Sequence, residues 1–152
     1  MANEASFWKT LRRGMRPYWT AVRHENIVAE GVPDLSFDIY GIPGSGWIEL
    51  KHRHFWPKRD SAIVKFKHYS SEQKAWIKKH GALTNRVYLF LQVGKDYLLF
   101  NWKVAHHIGS VNKEGLFLLA LKTWRPYINY KELAEILNNQ WRVEPWDNGG
   151  TM

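Results

Sequence analysis

The chain's 152 residues suffice for one compact domain and are too few for two of ordinary size. There is no cysteine, which excludes disulfide frameworks, cysteine zinc sites, iron–sulfur clusters and thiol catalysis. Lys and Arg number 22 against 14 Asp and Glu, a formal charge of +8 that points to a polyanionic partner, and a composition 45% hydrophobic and 15% aromatic excludes intrinsic disorder.

Residues 5–14 place Phe7, Trp8 and Leu11 at helical spacing before Gly14 and predict a short amphipathic helix. These first residues are polar and charged, without the apolar stretch of a secretory signal. The longest apolar run, residues 116–121, is far below the ~20 residues that cross a bilayer, so no membrane partner and a cytoplasmic location are expected. A strand is expected over 20–23, and another over 35–39, where Leu35, Phe37 and Ile39 alternate with Ser36 and Asp38. Gly41, Pro43, Gly44 and Gly46 then make a turn, and residues 47–52 read as the second strand of a hairpin. Residues 54–60 form a basic loop of no regular pattern, followed by a short strand at 63–66. Ser70 and Gln73 have the spacing of a capping box and open a helix that ends at His80-Gly81. The apolar runs 87–93 and 97–102, separated by Gly94-Lys95-Asp96, predict a hairpin, while 103–108 and 131–138 are expected to be helical. Residues 147–152 read as a frayed tail, leaving a single domain over 1–146. The order of elements predicts a mixed α/β domain, a central sheet with helices packed on it.

The charge is unevenly placed. Residues 1–24 carry a net +4, residues 25–50 carry five acids and no Lys or Arg, and residues 51–86 carry ten Lys and Arg against two acids. Clustered carboxylates flanked by cations suit a site that holds a divalent metal while it grips phosphates. Within the acidic segment, Pro33-Asp34 precedes Glu49-Leu50-Lys51 by fifteen residues from Asp to Glu. In a strand, residues i and i+2 share a face, so Glu49 and Lys51 stand side by side, and Asp34 approaches them if its strand pairs with theirs. Asp34, Glu49 and the Leu50 backbone carbonyl then make an all-oxygen site suited to Mg²⁺ or Mn²⁺, with Lys51 beside the attacking water or the charge of the transition state. A second acid-x-Lys triplet, Glu72-Gln73-Lys74, lies in a predicted helix, where i and i+2 point about 200° apart and do not converge on one ion.

Gly31-Val32-Pro33-Asp34, Trp47-Ile48-Glu49-Leu50-Lys51 and Ser70-Ser71-Glu72-Gln73, with Trp76 and Gly81 following, resemble the PD-(D/E)xK nuclease superfamily, and within it the VRR-NUC type found in stand-alone phage proteins. The resemblance covers about residues 23–93. It implies a restriction-endonuclease-like core and a metal-dependent endonuclease in which Asp34 and Glu49 bind metal, Lys51 assists the water and Gln73 lies over the same site. An additional upstream acid is implied, with Glu25 the first choice and Glu4 the runner-up. It further implies a homodimer acting on branched DNA, as Holliday-junction resolvases do, with residues 87–93 and the C-terminal helix as candidate dimer surfaces.

The DNA contacts are expected along residues 51–86, from Arg53, Trp56, Lys58, Arg59, Lys65, Lys67, Lys74 and Lys78, with Trp56 as the stacking aromatic. His52-x-His54 has a spacing that a zinc site could use but faces away from Glu49 and Lys51 without an obvious third ligand, and His106-His107 is another pair. Two other readings fit the same charge pattern: a non-catalytic nucleic-acid-binding protein, and a sequence-specific restriction-type endonuclease.

Overall fold

The computed structural model describes residues 3–24, 31–41 and 46–141. In chain order these form α1 (Glu4–Met15), β1 (Trp19–Arg23), β2 (Leu35–Ile39), β3 (Gly46–Arg53), α2 (Ser71–Thr84), β4 (Val87–Val93), β5 (Asp96–Asn101), α3 (Lys113–Leu119), β6 (Lys122–Trp124) and α4 (Tyr130–Trp141). The six strands make one sheet in sequence order. Every junction is antiparallel except that between β3 and β4. A parallel pair needs a long crossover, and here residues 54–86 supply it. The basic block of the sequence is therefore the crossover itself.

Side-chain alternation builds the layers. Ile48, Leu50, Tyr88 and Phe90 face one side, where Phe7, Leu11 and Met15 of α1 and Leu133 and Leu137 of α4 cover them. Leu89, Leu91, Leu98 and Phe100 face the other, against Ile77 of α2, Leu116 of α3 and Val64 and Phe66 of the crossover. β4 and β5, packed on both faces, consequently read as unbroken apolar runs. The mixed α/β architecture matches the sequence expectation, and no helix among the described residues is long and apolar enough to cross a membrane.

Several local expectations differ from what is observed. α2 continues past Gly81 to Thr84 and ends on Asn85, whose left-handed backbone (φ 56°) lets its N–H donate to the Gly81 carbonyl. Gly81 serves packing instead, since a Cβ there would lie 2.2 Å from Trp102 Cγ. At 63–66 only an isolated bridge, Ile63 to Asn112, forms. The period-two pattern is real, with Val64 and Phe66 buried and Lys65 and Lys67 exposed, but no neighbouring strand offers a ladder. Over 103–108 there is only a 3-10 turn, Ala105–His107. α3 and β6 leave no clear signal in the sequence, because the apolar run 116–121 is too short for its period to be read. The dimer surface expected on 87–93 is also corrected, since β4 is an interior strand buried between β3 and β5. The C-terminal helix turns Leu133, Ala134 and Leu137 into the first core and leaves Lys131 and Glu135 exposed. Residues 147–152 lie outside the described residues.

Candidate active site

The site is built where the β2–β3 ladder stops. β2 pairs with β3 only from Phe37–Gly46 to Leu35–Ile48, and the same register continued would set Asp34 opposite Glu49 and Pro33 opposite Leu50. Pro33 has no N–H to continue the ladder. The Asp34 side chain takes over: its Oδ2 accepts the Leu50 N–H at 2.7 Å, while its backbone carbonyl accepts the His24 N–H beside β1 at 2.7 Å. Asp34 is thus fixed from both neighbouring strands. In a strand the N–H and C=O of one residue face the same neighbour, so the Leu50 carbonyl shares the edge that Asp34 occupies.

Glu49 and Lys51 lie on the α2 face of β3, buried among apolar neighbours at 1% and 3% exposure. Lys51 Nζ sits 3.0 Å from Glu49 Oε2 and donates to the His68 carbonyl at 2.9 Å. His68 adopts a left-handed backbone (φ 61°), which costs a non-glycine residue about 1–2 kcal/mol, and this turn presents its carbonyl to the ammonium. Tyr69 follows, its ring 5.8 Å from Lys51 Nζ and its hydroxyl donating to the Ala105 carbonyl.

Gln73 joins the helix to the site. Its Oε1 accepts from the Ser70 N–H and its N–H donates to Ser70 Oγ, completing the capping box, while its Nε2 donates to Glu49 Oε2 at 3.0 Å. Gly31 docks that helix against the Asp34 segment. It has φ +84°, and a Cβ there would lie 2.4 Å from the Glu72 carbonyl oxygen. The three sequence segments singled out therefore meet at one place.

The electrostatics are those of a site short of positive charge. Burial first, then the negative charge of Asp34, pushes the Glu49 carboxyl up to about 8 against the pull of Lys51. Among the described residues no donor reaches Glu49 Oε1, and the facing Asp34 carboxyl adds to the upward push. Glu4, at the start of α1, lies within reach of the same field: burial raises its pKa, Lys51 lowers it and Asp34 raises it. Glu25 lies outside the described residues.

No group of three or more His, Cys, Asp or Glu among the described residues forms a metal site by itself. Mg²⁺ rarely needs one, since it is commonly held by one or two carboxylates with waters and substrate phosphates. Asp34, Glu49 and the Leu50 carbonyl could supply such a donor set, with Glu49 Oε1 receiving no donor among the described residues. The residues present fit a hard divalent cation.

Of the expected DNA contacts, Lys58, Arg59, Lys65, Lys67 and Lys78 are exposed and Lys74 is half-buried, its Nζ 5.1 Å from the Tyr69 ring. Arg53 Nε donates to the Phe55 carbonyl and its Nη1 to the Lys65 carbonyl. Trp56 departs from the expected stacking role. It is half-buried against the second core, donates its indole N–H to Asp96 at 2.8 Å and packs on Phe117. The exposed aromatic of the loop is Phe55, at 79%. Arg86, counted in the basic block, is buried at 1%, its guanidinium 5.9 Å from the Phe37 ring of β2. Sequence reasoning missed His68, whose contribution is a backbone carbonyl and leaves no side-chain signature.

No family model matches the chain, and no curated protein matches it. Among solved structures, it is similar to Hjc, a Holliday junction resolvase from the archaeal hyperthermophile Archaeoglobus fulgidus, with a TM-score of 0.55 and 13% identity over 88% of this chain and 98% of that one. At that identity the likeness establishes the fold alone: this chain shares the mixed α/β fold of the archaeal resolvase.

Proposed function

We propose that the chain is a metal-dependent DNA endonuclease of the PD-(D/E)xK type, close in character to VRR-NUC proteins, acting as a homodimer on branched DNA. The observation that carries this is the buried Glu49–Lys51 pair, 3.0 Å apart, on the open edge of β3 beside Asp34. A buried pair with an orphaned carboxylate oxygen is a poor stabilising device, because desolvation offsets its attraction. It is a sound arrangement for chemistry on a phosphodiester. The shared fold with a Holliday junction resolvase supports the same reading.

In this reading Asp34, Glu49 and the Leu50 carbonyl hold Mg²⁺ or Mn²⁺, with Glu4 or Glu25 as the additional acid. The ion, when bound, lowers the pKa of water and neutralises charge on the phosphate. Lys51 has three donors, two of them engaged by Glu49 and His68, and the third is available to the attacking water or a phosphate oxygen. Gln73 holds Glu49 in place through its amide. Water oxygen bonds to phosphorus as the P–O3′ bond breaks, leaving a 5′-phosphate and a 3′-hydroxyl. Lys58, Arg59, Lys74 and Lys78 of the crossover take the DNA backbone.

The test is cleavage of labelled four-way junction, duplex and single-stranded DNA with Mg²⁺, Mn²⁺ or EDTA. Metal-dependent nicking, fastest on the junction, is expected; no cleavage of any substrate with either metal sinks the reading.

A further inference from the structure

Beside the carboxylates lies a cavity of about 450 Å³, a size that admits a small ligand group. Glu4 and His68 line it, and it adjoins the site through His68, whose carbonyl accepts from the Lys51 ammonium at 2.9 Å. Arg53, Lys65, Lys67 and Phe55 form the remainder of the wall that matters here.

Three features of this wall go together. Arg53 lies two residues beyond Lys51 on the same face of β3, about 7 Å along the strand. Its guanidinium braces the two walls through the carbonyls of Phe55 and Lys65, and neither it nor Lys65 nor Lys67 has a carboxylate partner among the described residues. Three cations therefore face a single carboxylate, Glu4, in this wall, leaving a positive excess for a ligand. Phe55 stands on its lip 79% exposed, while the next residue, Trp56, is pinned to Asp96 and the second core. A loop anchored one residue away from an exposed ring holds that ring in place without burying it.

We propose that this cavity is a nucleotide subsite, in which Phe55 stacks on an unpaired base next to the cleaved phosphate while Arg53, Lys65 and Lys67 hold the phosphates of that strand. The proposal rests on the nuclease reading above and names its substrate class: DNA with an unpaired nucleotide at the cut, as at a branch point or flap, rather than continuous duplex. A stacked base has both faces covered by its neighbours in a duplex, so only a splayed nucleotide offers a face to Phe55.

The test is equilibrium binding in EDTA, where no metal-dependent cleavage interferes, of a labelled duplex carrying a three-nucleotide single-stranded extension and of the same duplex with three abasic sites there. The wild-type chain is expected to bind the base-bearing extension about ten-fold more tightly. Phe55→Ala removes that preference without weakening abasic binding, Phe55→Trp keeps it, and Lys65→Ala with Lys67→Ala weakens both ligands alike. Equal affinity of the wild type for the two extensions, or a preference that survives Phe55→Ala, overturns the subsite. Cleavage assays report on the nuclease reading separately. A base preference without cleavage leaves the subsite standing and removes the nuclease, and cleavage without the preference does the reverse.

Discussion

Glu49 concentrates the chemistry of the site in one carboxyl group. Its folded-state pKa of about 8, against an ordinary 4.5, means that the folded chain binds this proton more tightly than the unfolded chain does. In EDTA, the stability contributed by that proton is complete below about 4.5 and is lost as pH rises through about 8. Urea melts across this range should show the decline, Mg²⁺ should reverse it at the alkaline end, and Glu49→Gln should flatten the profile. A profile that falls equally in Glu49→Gln would assign the loss to another group. Lys51→Ala is expected to reduce cleavage by several orders of magnitude while Mn²⁺ still binds, because in the proposed mechanism the amine acts on the water or phosphate and is not a metal ligand. Asp34→Ala is expected to weaken Mn²⁺ binding, and unchanged affinity by calorimetric titration refutes its role as a ligand.

Helix α2 is both a structural unit and one wall of the site, and Gln73 is where the two jobs meet. Glu at this position completes a capping box as well as Gln does, but it donates nothing to Glu49 and sets a like charge against it. Gln73→Glu should therefore leave the melting temperature within a few degrees of wild type and cut cleavage sharply. Gln73→Ala, by contrast, also loses the reciprocal bond from the Ser70 N–H, while Ser70 Oγ still caps the backbone, and costs about 1 kcal/mol. A fully active Gln73→Glu would show that the residue only caps the helix. Gly31→Ala tests the docking of the same helix. The added methyl meets the Glu72 backbone at 2.4 Å on a residue with φ +84°, so it should destabilise by more than 1 kcal/mol in chemical denaturation.

Across the whole molecule, the +8 charge resolves into groups with different tasks. Lys51 belongs to the carboxylate site and Arg86 is buried against Phe37, whereas Lys58, Arg59 and Lys78 are exposed on the crossover. The dependence of log K for DNA on log salt should accordingly fall by about one unit of slope in Lys58→Ala, measured by anisotropy titration in EDTA. An unaltered slope would take Lys58 out of the interface. Arg86→Met should instead change stability and leave the salt slope alone.

The sequence by itself determined the layered α/β fold, because the alternation in β2 and the apolar runs of β4 and β5 are local and strong enough to fix which faces are buried. It also marked Asp34, Glu49, Lys51 and Gln73, since period two aligned Glu49 with Lys51 and the Ser70 capping box placed Gln73 one turn into its helix. Tertiary structure alone decided what surrounds them. Glu4 comes from the far end of the chain, His68 acts through its backbone, and the exchange of roles between Phe55 and Trp56 depends on Asp96 and Phe117, which are distant in sequence. α3 and β6 were hidden for a related reason: short apolar segments take their form from the surface they pack on, and that surface exists only once the sheet has formed.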